Sequence, residues 1–71
     1  MTIRQVQALL IYLGYAPGDP DGIPGAKTRQ AVREFQKASG LAADGSPGEQ
    51  TARALLAAVA GGQTRRPEDF W

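Results

Sequence analysis

The sequence predicts an all-α domain, a small three-helix bundle in which two helices are launched by copies of one turn. Three observations carry that prediction. The pattern D-G-x-P-G-x-x-T, a stricter form of D-G-x-x-G-x-x-T, occurs at Asp21–Thr28 and again 23 positions on at Asp44–Thr51. With the same displacement Thr28, Ala31, Val32 and Phe35 map onto Thr51, Ala54, Leu55 and Ala58, so each turn feeds a stretch whose small and apolar residues share one helical face. Ahead of the first copy, Ile3, Val6, Leu10 and Leu13 recur at helical spacing, widened by Leu9 and Ile11, and no stretch carries a strand signal. Two turn–helix units are too few to stack as a solenoid and are expected to close against the leading apolar segment.

The first helix is expected over about residues 3–13. Thr2 and Gln5 fit the reciprocal T-x-x-Q cap, in which two side chains satisfy two orphan amides at the helix start. Gly14 ends it, because a residue without Cβ takes the left-handed conformation freely and lets Tyr15 or Ala16 fold back on the last turn. Ala16 to Gly22 is dense in turn formers. Asp21 is placed to accept from backbone amides one or two residues on, with Gly22 at positive φ. Pro24 suits the first position of a second helix, where its missing N–H costs nothing. That helix runs to about Ser39, buries Ala31, Val32 and Phe35, and stops at Gly40 with Leu41 packing back.

In the second turn Ser46 as cap, Pro47 at the first position and Glu49 at the third form an S-x-x-E capping box. The third helix is expected from Pro47 to Ala60, showing Ala54, Leu55, Ala58 and Val59 to the core, and ending at Gly61-Gly62. The expected core gathers Val6, Leu9, Leu10, Leu13, Val32, Phe35, Leu41, Leu55 and Val59. The domain is expected to cover residues 1–62. Residues 63–71 are polar and charged up to Phe70-Trp71 and read as a flexible tail or linker. That aromatic pair is either the docking end of a longer protein or a group that folds onto the bundle's own groove.

A chain of 71 residues makes one small domain with a thin margin of stability. It has no cysteine, hence no disulfide or thiolate metal site, and no histidine, hence neither the commonest general base nor the commonest metal ligand. Eight basic and seven acidic residues give a net charge of +1, which exerts no general pull toward nucleic acid or an anionic membrane. The apolar run Ala8–Leu13 is far short of a membrane span, and no signal peptide is visible.

Catalysis is not expected. General acid–base work needs two positioned groups in a water-poor pocket, and Asp19, Asp21 and Asp44 sit in turns where carboxylates serve as local caps. Asp19-Pro20-Asp21-Gly22 begins like a calcium loop, but position 5 would be Ile23, position 6 Pro24 and position 12 Gln30, so it reads as a solvated turn with no metal. Arg29, Arg33 and Lys37 line one face of the second helix. The plainer account is a solvated face partly paired with Glu34; the functional one is attraction for the carboxylates of a peptide ligand or for a phosphate backbone. Of Tyr12 and Tyr15, at least one is expected to pack, and the other to offer a ring face to a ligand. Gln36 is expected near the bundle surface, either holding a peptide backbone or capping a neighbouring loop.

Taken together, Leu13-Gly14-Tyr15, the turn Asp21–Thr28, Ala31-Val32-Arg33-Glu34-Phe35-Gln36, Gly40-Leu41, the turn Asp44–Thr51 and Ala54-Leu55-Leu56 resemble the peptidoglycan-binding domain, a three-helix module appended to many bacterial cell-wall hydrolases. The likeness covers about residues 3–60. The sequence departs from the family's usual pattern at Pro24, where an aromatic is common, at Pro47, and at Leu10, where a glutamine often follows the first-helix leucine. The resemblance implies non-catalytic binding of peptidoglycan, through the stem peptide and adjoining amino sugar, by a monomer that targets an associated catalytic domain to the wall. It implies no cofactor, and a place in the periplasm or cell wall. A shallow groove between helix 1, the first turn and helix 2 is expected, walled by Tyr15, Asp21, Ile23, Lys27, Thr28, Arg33 and Gln36. The alternative is a protein-interaction or assembly module reusing the same bundle.

Overall fold

The computed structural model describes residues 1–61 and contains three helices, α1 (Ile3–Tyr12), α2 (Ala26–Ala38) and α3 (Glu49–Ala60), with no strand among the described residues. The leading helix is clasped by the other two, α1 packing against both α2 and α3. The core is Val6, Leu10 and Leu13 from α1 and its end, Ala31, Val32 and Phe35 from α2, and Leu55 and Ala58 from α3. Leu9 and Val59 are half-buried at its edge, beside Tyr15 and Ala54. Leu41 is also half-buried, so the expected core was drawn slightly too wide at its aliphatic rim, while Ala31 and Ala58, expected to face the core from their helices, are buried in it.

The helix ends follow local chemistry. Thr2 and Gln5 form the reciprocal capping box, Gln5 N–H donating to Thr2 Oγ1 at 3.2 Å and Thr2 N–H to Gln5 Oε1 at 2.8 Å. At the end of α1, Gly14 has φ 96°. Tyr15 N–H donates to Leu10 O (2.8 Å) and Gly14 N–H to Ile11 O (3.0 Å), the paired bonds of a Schellman ending. Gly40 (φ 74°) ends α2 in the same way, with Leu41 N–H on Gln36 O.

The expected starts of α2 and α3 need correction. Neither proline opens a helix, and Ser46 is not a cap: the capping residues are Gly25 and Gly48, and neither helix has a side-chain cap. Gly25 N–H folds back on Ile23 O and Gly48 N–H on Ser46 O (both 2.9 Å), so each proline sits inside a tight turn that closes before the helix begins. Ser46 is engaged there through its own N–H, which donates to Asp44 Oδ1. Residues 63–71, with the aromatic pair Phe70-Trp71, lie outside the described residues.

Candidate functional site

Each D-G turn is tied to the preceding helix by one buried glutamine. In the first, Gln7 projects from α1 and is fully buried. Its Nε2 donates to Ile23 O (3.0 Å) and Thr28 Oγ1 (2.9 Å), and its Oε1 accepts from Gly22 N–H (2.9 Å). Thr28 passes its own hydroxyl proton to Pro17 O at 2.9 Å, so the chain before the turn is held as well. The acceptors and donor around Gln7 fix which end of the amide is nitrogen. Asp21 does what a turn aspartate is expected to do, its Oδ1 accepting from Ile23 N–H at 2.9 Å beside Gly22 at φ 83°.

Gln36 repeats this from α2. Its Oε1 accepts from Gly45 N–H (2.9 Å), while its Nε2 faces Asp44 Oδ1 (2.9 Å), Ser46 O (3.0 Å) and Thr51 Oγ1 (2.9 Å). In the second turn the glutamine thus also bonds the turn's own carboxylate, which Gln7 does not do in the first. Asp44 Oδ1 also accepts from Ser46 N–H at 2.8 Å. That backbone bond first, and the Gln36 amide second, hold the Asp44 carboxyl below its ordinary value of 3.8 against a smaller opposing effect of desolvation. No buried side-chain nitrogen or oxygen among the described residues lacks a partner.

This network separates the seven expected wall residues. Thr28 and Gln36 are 3% and 1% exposed, with their polar groups committed to the two turns. The expectation that Gln36 lies near the surface is corrected: it caps a neighbouring loop, because its position on α2 faces the second turn. The glutamine that sequence reading passed over is Gln7. Leu10, where the family pattern suggested a glutamine, is fully buried in the core instead. Tyr15 is half-buried, its ring edge-on to Phe35 at 5.9 Å and 87°. Tyr12 is the exposed tyrosine, at 47%. Asp21, Ile23 and Lys27 stand exposed around the first turn, Ile23 at 66%. Arg33 is apart from them, with Nη2 3.2 Å from where a Cβ on Gly45 would lie, so it belongs to the second turn's side of α2.

A groove of about 420 Å³ does open between the segment after α1 and α2, lined by Ala16, Ala26, Lys27, Gln30, Ala31 and Glu34. Lys27 is its one cation. Its stem packs on Gly18, where an added Cβ would meet Lys27 Cβ at 3.6 Å. A second, more apolar concavity of about 460 Å³ lies between α1 and α3 against Met1, Ala8, Leu9 and Leu56. The basic face of α2 is not paired with Glu34 as expected: Glu34 accepts from Gln30 at 3.4 Å, and the ion pair among the described residues is Arg53–Glu49 at 2.8 Å on α3. No group of three or more His, Cys, Asp or Glu side chains among the described residues could hold a metal ion. None of the described helices is long and apolar enough to cross a membrane.

No curated protein and no solved structure matches the chain. The family model of the peptidoglycan binding domain matches residues 2–55, a span that takes in both glutamine-held turns, α1, α2 and the first half of α3. By that match the chain belongs to the peptidoglycan-binding domain family.

Proposed function

We propose that this domain holds peptidoglycan without cutting it, taking the stem peptide and adjoining amino sugar in the groove between the segment after α1 and α2. The family match over residues 2–55 carries the reading, since it makes cell-wall binding the function to explain. The groove's volume of about 420 Å³, within the range of small-ligand sites, supports this location. Lys27 of the groove offers a cation for a peptide carboxylate, and on the adjoining first turn Ile23 offers an exposed aliphatic surface and Asp21 an exposed acceptor. Thr28 fixes the first turn from within through Gln7 and Pro17, and Tyr15 packs behind it on Phe35, whereas Gln36 serves the second turn. An open site of this size binds weakly, and tethering to a wall-degrading domain on a longer chain would raise its effective concentration at the wall.

The test is co-sedimentation with insoluble peptidoglycan, followed by amide-shift mapping on titration with a soluble stem-peptide–amino-sugar fragment. Shifts should cluster at Ile23, Ala26, Lys27 and Gln30, and Lys27→Ala should reduce the sedimented fraction. Wild-type protein that stays in the supernatant at low salt and high wall excess sinks the reading. One observation favours an assembly role as a second reading. Met1 and Leu56 are each more than half exposed beside the α1–α3 concavity, and Ile11 and Tyr12 of α1 are nearly as exposed. A second copy docking there would give a dimer on a sizing column that Leu56→Glu dissolves.

A further inference from the structure

The near-neutral total conceals a segregated charge. Among the described residues there are six basic and five acidic side chains, and four of the six bases lie on α2 beside a single acid, Glu34. The other four acids lie in the turns or at the start of α3. On α2, Arg29, Arg33 and Lys37 are exposed and recur every four residues, so their charges follow one face at about 6 Å per step. None of the three is in an ion pair among the described residues. Arg29 donates from Nη1 to Pro24 O (3.1 Å) and Arg33 from Nη1 to Gln30 Oε1 (3.2 Å), both neutral acceptors that orient a guanidinium without cancelling its charge. Gly45 keeps the place beside Arg33 open, since a Cβ there would lie 3.2 Å from Nη2. These three residues are not among those lining the groove beside Lys27.

We propose that this face of α2 is a second contact surface, which holds a linear phosphodiester polymer lacking bases. A row of cations at fixed pitch complements a ligand whose anions recur along a strand, and the arginine fork matches phosphate oxygens. Phosphodiester charges lie in the polymer backbone, so aligning three of them orders fewer flexible stalks than aligning carboxylates on side chains. Single-stranded nucleic acid is disfavoured because its bases need a stacking platform. The one aromatic of α2, Phe35, is buried in the core. The surface goes beyond the groove reading and stands without it, as the probe below contains neither peptide nor sugar.

The experiment is fluorescence anisotropy of the full 71-residue chain with a labelled synthetic glycerol phosphate oligomer. Three phosphate contacts predict a salt slope near −2, so affinity should fall about twenty-fold between 50 and 200 mM salt. Arg29→Gln/Arg33→Gln/Lys37→Gln should weaken binding at least ten-fold and flatten that slope while the melting temperature stays near wild type, all three residues being exposed. Arg53→Gln and, separately, Arg65→Gln/Arg66→Gln should leave binding within two-fold. The proposal is overturned if the oligomer does not bind at 50 mM salt, if the triple variant binds as wild type does, or if either control costs as much as the triple change. Tighter binding of polyglutamate or of a single-stranded oligonucleotide overturns it equally. Failure here leaves wall co-sedimentation through the groove intact, and loss of co-sedimentation in Lys27→Ala leaves the oligomer result standing.

Discussion

Replacing Gln36 by leucine should damage the domain about twice as much as replacing Gln7, although both glutamines hold equivalent turns. The difference follows from what each substitution leaves dry. In Gln36→Leu, Gly45 N–H and Thr51 Oγ1 lose their partner in buried positions, whereas Ser46 and Asp44 are exposed and can turn to water. Two orphaned buried groups at about 1–3 kcal/mol each give a loss of roughly 2–6 kcal/mol. The new methyl groups return on the order of 1 kcal/mol. In Gln7→Leu, Gly22 and Ile23 belong to exposed residues, and Thr28, the buried group affected, keeps its bond to Pro17 O. The expected loss is then about 1–2 kcal/mol. A domain of this length has roughly 3–9 kcal/mol in all, so Gln36→Leu should sit near the edge of folding while Gln7→Leu melts about 4–16 °C early. Urea and thermal unfolding followed by circular dichroism decide it. Equal losses in the two variants, or a Gln36→Leu loss under about 0.5 kcal/mol, would refute the idea that buried amide satisfaction holds these turns.

Three further outcomes can be checked by the same unfolding measurements. Gly45→Ala should cost more than Gly22→Ala: both glycines have positive φ (75° and 83°), worth about 1–2 kcal/mol to an L-residue, but only at Gly45 does the new Cβ also crowd Arg33 Nη2 and Arg29 O. Asp44 titrates below its ordinary value in the folded state, so its contribution is present above pH 3.8 and is lost as pH falls through the lowered value. The stability gap between wild type and Asp44→Asn should therefore shrink on acidification below that point, and a gap that widens would reverse the assignment. Leu10→Ala, at the centre of the core with no exposed surface, should cost about 2–5 kcal/mol and leave little cooperative melting.

Much of the fold was legible because it is written in local chemistry. The T-x-x-Q cap at Thr2, the glycine endings at Gly14 and Gly40, and the apolar stripe of α1 each need only a few adjacent residues to specify them. The helix starts at Pro24 and Pro47 were misread for a related reason. A proline followed by glycine satisfies either a first-turn rule or a turn that closes one bond earlier, and the backbone bonds to Ile23 O and Ser46 O select the second. The role of Gln7 was hidden by register. A displacement of 23 pairs Gln36 with Leu13, and pairs Gln7 with Gln30, which is exposed. The true equivalence of Gln7 and Gln36 is 29 positions apart, because the chain from Gln7 to Gly22 is six residues longer than that from Gln36 to Gly45. Only contacts across that unequal loop reveal it.

The two turns agree on the inside and differ on the outside, and this contrast bears on where binding can reside. Within each, a helix-borne amide meets a glycine N–H, a carbonyl two residues after the aspartate and a threonine hydroxyl. That shared set fixes backbone shape and can be duplicated without choosing a ligand. Outward, Ile23 and Lys27 of the first turn stand where the second has Ser46 and Gln50. An aliphatic group and a cation give contact area and charge, whereas a hydroxyl and an amide exchange freely with water and bind little by themselves. The first turn thus has the surface suited to holding a ligand, and the second, with its carboxylate bonded to Gln36 and Arg33 alongside, has the firmer frame. Transplanting Ile23 and Lys27 onto the second turn through Ser46→Ile/Gln50→Lys, neither of whose side chains is bonded in the network, should add wall binding without loss of stability. A transplant that adds none would show that the segment after α1, with Ala16 facing α2, supplies what the turn alone lacks.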